Sequence, residues 1–275
     1  MNITTGKVLT DEELELYFNN EENVGIEIIG FGSLLSKVSS QTTFPDLTNF
    51  RVVRVVGYRR VFRHPASIFF ERGIATMEDL RISSLSCEKH EGSSFLAVVF
   101  EVKSVKSGSS FQAREEEFDF HIVPYETYRR AGDRGDIGAD INMDHRCNGN
   151  GNGNGIGAVA GGKALMCVSS TNESYIARWG QETFSKKYLS LGLGDRGIWG
   201  WEEDSGIFPC SVYLRHCYLS AKKLSASLGT TDILDSFLDD TYLVDRVTTV
   251  RVYLDANPCI LDLQPPDNLV GRYSG

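Results

Sequence analysis

Residues 25–35 read Gly25-Ile26-Glu27-Ile28-Ile29-Gly30-Phe31-Gly32-Ser33-Leu34-Leu35, and their reading decides how the chain is organised. Ile26, Ile28 and Ile29 are β-branched and Glu27 interrupts them, so the stretch begins as a strand. It runs into Gly30-Phe31-Gly32-Ser33, where two glycines frame one aromatic ring. Glycine lets other groups approach the backbone closely. A strand ending in such a turn presents consecutive N–H groups without ladder partners, and these can form an anion-binding nest. Taken alone, the pattern is that of a tight turn at the end of a buried strand.

Working outward, Thr10 and Glu13 have capping-box spacing ahead of Leu14, Tyr17 and Phe18, which predicts a helix over 10–19. Residues 36–49 are polar and read as a loop, with Pro45 as a helix stop. Residues 51–62, RVVRVVGYRRVF, read as a long strand with Gly57 at a bulge or bend. Short strand-like pieces follow at 67–70, 74–77 and 82–86, then a buried strand at 95–102, FLAVVFEV. A turn at 107–110 leads to one or two helical turns over 111–117, FQAREEE. Residues 118–128 alternate as a strand, with Pro124 suggesting an edge or a break. The stretch 131–162 is rich in Gly, Asn and Asp and reads as a flexible insertion between strands. The Gly155-x-Gly157 pattern within it follows no strand and is set aside as a dinucleotide fingerprint.

Residues 163–168 read as another strand. Ser170 and Glu173 have capping-box spacing before a helix of about five turns over 174–192, with Ile176, Trp179, Thr183 and Phe184 on one face. A second helix is expected over 208–228, with Pro209 near its start, and a third over 232–240. Residues 247–254 fit either a strand or a helix capped by Thr248 or Thr249, and Pro265-Pro266 points to an extended tail. Strands come first and helices last, an α+β pattern in which the strands can close into a small antiparallel or mixed barrel.

The chain has 275 residues with a formal net charge of -9, from 37 acidic and 28 basic residues. That balance disfavours nucleic acid and anionic membranes as partners. No apolar run is long enough to span a membrane. The first residues lack a basic start followed by an apolar core, which points to the cytoplasm, with organellar import left open. The six cysteines are scattered without a C-x-x-C pair, so reduced thiols are expected rather than disulfides or zinc. The five histidines show no metal spacing, and no metal is expected. His121 and the three tryptophans read as packing or surface residues. Tyr58 and Arg60 share a strand face and are candidates to reach one cavity.

A nest of N–H groups needs a partner to do chemistry. The candidate is the acidic cluster Glu115-Glu116-Glu117. Three adjacent carboxylates cannot all be buried as charges, and one turned inward would have a raised pKa suited to a general base. Against this stands the ordinary solvated turn that any charge run can form.

Three stretches together resemble the γ-glutamylcyclotransferase-like proteins, which include ChaC-type and plant AIG2-like members. Phe31-Gly32-Ser33-Leu34 is similar to their Y/F-G-S-[NL] signature. Residues 57–62, GYRRVF, are similar to a G-[YW]-x-R-x-F strand. Arg114-Glu115 is similar to the R/Q-E element that carries the catalytic glutamate. All three occur in the family's order, across residues 25–128 with 163–168 as a further barrel strand. Phe31 stands where Tyr is common, and Glu116-Glu117-Phe118 follows the glutamate without the usual glycines, so Glu116 is the reserve. The segments YLRHC and FLDDTYL-x-DR-x-TT are similar to C-terminal regions of plant and algal AIG2-like proteins.

The resemblance implies a γ-glutamylcyclotransferase-like barrel over 1–169, with 131–162 as its insertion, and a helical extension over 170–275 packed on it. It implies a lyase releasing 5-oxoproline from a small γ-glutamyl peptide or amine, glutathione-like compounds included. The substrate's own α-amine attacks its γ-carbonyl, so no cofactor is required. Glu115 would move the proton, and the turn of Phe31, Gly32, Ser33 and Leu34 would hold the α-carboxylate or the developing oxyanion. The competing reading is a non-catalytic binding or scaffold protein that recruits a protein partner through 170–275.

Overall fold

A computed structural model describes residues 5–19, 25–102, 108–129 and 160–275. In it the opening strand, β1 (Ile26–Gly30), lies between two neighbours. It pairs antiparallel with β3 (Arg81–Val102), Ile28 facing Phe100, and parallel with β5 (Gly161–Val168), Ile28 facing Leu165. β5 pairs antiparallel with β4 (Asp119–Thr127), and β4 with β2 (Thr48–Pro65). β2 then pairs along most of its length with β3, from Thr48 facing Glu101 to Pro65 facing Ser83. The ring β1-β5-β4-β2-β3 therefore closes on itself, a five-stranded mixed barrel with one parallel pair. Closure leaves β1 no free edge to template aggregation.

The long β2–β3 hairpin reaches beyond the barrel and corrects several expectations. The pieces at 82–86 and 95–102 belong to one strand of 22 residues. The piece at 67–70 is instead a short helix, α3 (Ser67–Glu71), and 74–77 is irregular. β2 itself extends past the expected 51–62 at both ends. Gly57 is at the register shift between Val56 and Tyr58, with φ 78°, which is the bulge the sequence suggested. β4 runs unbroken through Pro124, which faces Lys163, and it is flanked on both sides, so Pro124 marks neither an edge nor a break. Its ladder with β2 starts only at Tyr125, so the missing N–H is tolerated there. Residues 131–159 of the expected insertion lie outside the described residues, while Gly161 and Gly162 already belong to β5.

The capping box at Thr10 and Glu13 forms as expected and starts α1 (Asp11–Phe18). The expected loop at 36–49 contains α2 (Lys37–Thr43), because the Ser36 side chain accepts from the Ser39 N–H and caps it. The helix at 111–117 starts earlier, as α4 (Gly108–Arg114), and takes up the last residues of the expected turn. It ends before the glutamates. The long helix at 174–192 is two, α5 (Asn172–Trp179) and α6 (Gln181–Lys187), followed by a 3₁₀ turn. Gly180, with φ 87°, separates them, and Thr171 rather than Ser170 is the cap. Phe208–Pro209 is a short strand, β6, beside β3, so the next helix is α7 (Ser211–Leu228). Then come α8 (Asp232–Asp239), β7 (Thr241–Tyr242) on β2, and α9 (Val250–Ala256), where Thr249 is the cap and the helical alternative holds. The stretch around Pro265-Pro266 is extended for a few residues and turns again at Asp267–Leu269.

The helices after β5 share the barrel's core. Leu214 and Cys217 of α7 and Ile233 and Phe237 of α8 cluster with Ile28, Val55, Phe62, Phe95 and Phe100. A second cluster gathers Trp199, Trp201, Tyr175, Tyr188 and Phe184 around Phe69 and Phe118. Between barrel and helices lies Arg60, with no exposed surface. Its guanidinium donates to the carbonyls of Phe31, Leu96 and Ser236, at 3.5 and 3.2 Å for the first two. It also lies 4.7 Å from the Phe95 ring centroid. Burial lowers its pKa to about 10, so it stays charged at neutral pH. Arg60 thus packs inside the structure and does not line the site cavity, and Tyr58 bonds His121 Nδ1 at 2.9 Å instead of reaching it. Arg60→Met, which removes the donors to the Phe31, Leu96 and Ser236 carbonyls and the packing of the guanidinium, should cost about 3–5 kcal/mol. Urea unfolding would read this as a lower midpoint at unchanged slope, and a loss under about 1 kcal/mol would show the bonds to be dispensable.

Candidate functional site

β1 delivers the glycine turn to the mouth of the barrel. Gly30 is the last ladder residue, and Ser33–Leu35 form one 3₁₀ turn closed by the Leu35 N–H to the Gly32 carbonyl at 3.0 Å. The first N–H groups of such a turn have no acceptor within it. Glycine is needed at Gly30, where a Cβ would stand 2.6 Å from that of Leu34; at Gly32 a Cβ would stand 3.0 Å from the Tyr213 hydroxyl, a tight contact.

The turn lines a cavity of about 710 Å³, large enough for a small ligand. Phe31, Gly32, Ser33, Leu34, Glu115, Glu116 and Glu117 all line it. The stretches that the sequence singled out, some 80 residues apart by numbering (from 34 to 115), thus meet at one cavity. GYRRVF does not contribute side chains to it; Arg60 instead supports the turn from behind through the Phe31 carbonyl.

The three glutamates follow α4 in a turn held by the Phe118 N–H to the Glu115 carbonyl at 3.0 Å. Each has a different environment. Glu115 has Arg114 Nε 3.0 Å from Oε1 and is partly accessible. Glu116 accepts from Lys187 Nζ at 2.6 and 2.8 Å and from the Tyr188 hydroxyl at 3.2 Å. That ion pair commits the reserve carboxylate to α6. Glu117 is buried and accepts from the Tyr188 hydroxyl at 2.9 Å. Burial first, then the charge of Glu116, raises its pKa to about 7. The inward glutamate with a raised pKa, which the acidic run predicted in general terms, is Glu117. Two indole N–H groups brace the turn's backbone, Trp179 to the Glu116 carbonyl at 3.1 Å and Trp199 to the Glu117 carbonyl at 3.0 Å.

The other walls were not legible in advance. α7 supplies Tyr213 and His216, α3 and the residue after it supply Phe69 and Arg72, and the segment 271–275 supplies Arg272 and Tyr273. His216 Nδ1 accepts the Gly275 N–H at 2.9 Å, and Arg72 donates to the Tyr273 hydroxyl at 2.7 Å, which fixes that segment in place. Burial, then the charges of Arg272, Lys223 and Arg215, hold the His216 pKa down to about 4. His64 is also at the wall, stacked on Trp199 at 4.4 Å, and burial lowers its pKa to about 3. Both are neutral packing groups at physiological pH. Helical spacing marked Tyr213, but nothing local could pair it with a turn 180 residues earlier.

Glu117 makes stability pH-dependent in a defined direction. The folded carboxyl keeps its proton up to about pH 7, whereas an ordinary one, with a pKa of 4.5, has lost it. Between those values the folded state binds more protons, so stability falls as pH rises and levels off above the upper value. Glu117→Gln removes this loss. It should match wild type near pH 4 and exceed it above pH 8 by roughly 3 kcal/mol. Urea midpoints across pH would check this; equal pH profiles would mean that Glu117 is not a buried titrating group.

No family model matches the chain, and no curated protein matches it. Among solved structures it is similar to a γ-glutamyl cyclotransferase at 10% identity and TM-score 0.35, covering 54% of this chain and 68% of that one. It is also similar to a yeast γ-glutamyl cyclotransferase specific to glutathione, at 15% identity and TM-score 0.37, covering 91% and 97%. An uncharacterised protein from Homo sapiens is similar at 12% identity and TM-score 0.34, covering 54% and 69%. The closed mixed barrel, the glycine turn at its mouth and the three motifs in order carry the likeness independently: in fold, the chain resembles the γ-glutamylcyclotransferase-like proteins.

Proposed function

We propose that this chain is a γ-glutamyl cyclotransferase-type lyase, releasing 5-oxoproline from a small γ-glutamyl peptide or amine in the cytoplasm. The observation that supports it best is that one cavity is lined both by the turn Phe31–Leu34 and by Glu115. In this reading the N–H groups of Gly32, Ser33 and Leu34 hold the substrate's α-carboxylate or the oxyanion that develops on the γ-carbonyl. The substrate then folds so that its neutral α-amine meets its γ-carbonyl, and proximity supplies most of the rate. A C–N bond forms to close the five-membered ring, and the C–N bond to the leaving amine breaks. Glu115 takes the proton released by the attacking amine and returns it to the leaving nitrogen, ending as it began. Arg114, 3.0 Å away, keeps the carboxylate oriented. Glu116, tied to Lys187, and Glu117, buried under Tyr188, support the turn on which Glu115 sits.

Chromatographic measurement of 5-oxoproline from a panel of γ-glutamyl peptides and amines tests this. Wild type should turn over at least one member, and Glu115→Gln should lower kcat by about 10²–10⁴-fold. A wild type that releases none from any substrate shifts the reading to a binding protein that recruits a partner through 170–275. A fully active Glu115→Gln would move the acid/base role to another group.

A further inference from the structure

The glycine turn and Glu115 come from the first part of the chain, yet a hydroxyl set against Gly32 comes from a helix some 180 residues later. The Tyr213 hydroxyl lies 3.0 Å from where a Cβ on Gly32 would stand, nearer than the Leu85 and Cys217 side chains at 3.3 and 3.7 Å. Tyr213 lines the cavity with Gly32, Ser33 and Glu115. Its ring is held edge-on to Phe62 at 6.3 Å and tilted on Phe69 at 5.0 Å, so the hydroxyl is fixed in direction. Helix α7 sets that direction: Leu214, Cys217 and Ala221 are buried in the barrel core and fix its rotation. Ser84 and Cys217 are the hydroxyl's electrostatic neighbours. Burial first, with the neighbouring Cys217 and then Glu115, raises its pKa well above the ordinary value, so it remains an O–H donor at physiological pH.

From this juxtaposition we infer that Tyr213 is a ligand-contacting residue: its hydroxyl donates, with the N–H groups of Gly32–Leu34, to the anionic oxygen of a carboxylate-bearing ligand in the cavity. The inference rests on the proposed cyclotransferase reading for the identity of that oxygen, and adds a side-chain donor to a nest otherwise made of backbone. A donor already held in direction stabilises a forming oxyanion without reorganising as the charge develops. It also gives α7 a place in the site.

Tyr213→Phe keeps the ring and its packing and removes only the donor. It should lower kcat/KM for 5-oxoproline release by roughly 10–100-fold. It should also weaken binding of L-glutamate or 5-oxoproline in calorimetry by several-fold, with the thermal midpoint close to wild type. Unchanged turnover and binding would overturn the assignment. A 3-fluorotyrosine placed at 213 in the full chain gives a readout that needs neither activity nor the variant's folding. Its ¹⁹F resonance should move when either carboxylate is added, and a resonance that stays put at saturating ligand overturns the assignment. A wild type that forms no 5-oxoproline removes the cyclotransferase reading alone, because the ¹⁹F arm still decides for or against Tyr213 as a carboxylate contact.

Discussion

A positive charge sealed inside the protein ties its parts together. Removing a guanidinium from water costs several kcal/mol unless its donors are matched. The two terminal nitrogens of Arg60 meet carbonyls from three places, Phe31 in the glycine turn, Leu96 in β3 and Ser236 near the end of α8, while its Nε is buried without a partner among the described residues. The end of α8 is the favourable end of a helix for a cation. The Ser236 hydroxyl extends the network, accepting from the Leu96 N–H at 2.8 Å and donating to Asp240 at 2.7 Å. The faces of Phe95 and Phe237 add cation–π attraction. If any of the three segments moved away, a buried charge would lose a partner. The turn at the barrel mouth and the later helices therefore hold their places jointly.

The acidic turn is built on the same principle with the sign reversed. Three glutamates in a row repel one another, and each is accommodated differently: Glu115 beside Arg114, Glu116 on Lys187, Glu117 by retaining its proton. The backbone of the turn is braced by Trp179 and Trp199, both from the region after β5. Placing a carboxylate at the cavity is thus a shared task, in which the barrel supplies the residue and the helices supply the rigidity. Site residues supported this way can be positioned closely without sitting on a strand or helix themselves.

Much of this was legible in the sequence because it is local. The β-branched run at Ile26–Ile29, the bulge glycine at 57 and the capping box at Thr10 announce themselves within a few residues. The glycine turn and Glu115 were found through motif order, and their meeting at one cavity follows from barrel closure. What stayed hidden is non-local or depends on a single residue. α3 reads as a strand because Ile68, Phe69 and Phe70 favour one, and tertiary packing of Phe69 overrides that preference. The helix at 174–192 reads as continuous because one glycine inside a helical pattern is tolerable; at Gly180 it adopts a positive φ and splits it. Arg60 reads as a cavity candidate beside Tyr58, since nothing nearby in sequence announces the carbonyls that receive it. Tyr213 required knowing that α7 docks on the barrel mouth.

The pairing of β4 with β5 has a consequence for how this protein tolerates change. The chain leaves β4 and re-enters β5 across a single hydrogen bond, the Thr127 N–H to the Ala160 carbonyl at 2.8 Å, with Glu126 facing Gly161. The two points are neighbours whatever connects them, and the entropic cost of closing a connection grows only with the logarithm of its length, about 0.6 kcal/mol per doubling. Selection on the barrel therefore places little limit on how many residues stand there. That junction is a natural port of the fold, where a whole domain could be inserted, or the chain reopened with new ends, while every strand keeps its register.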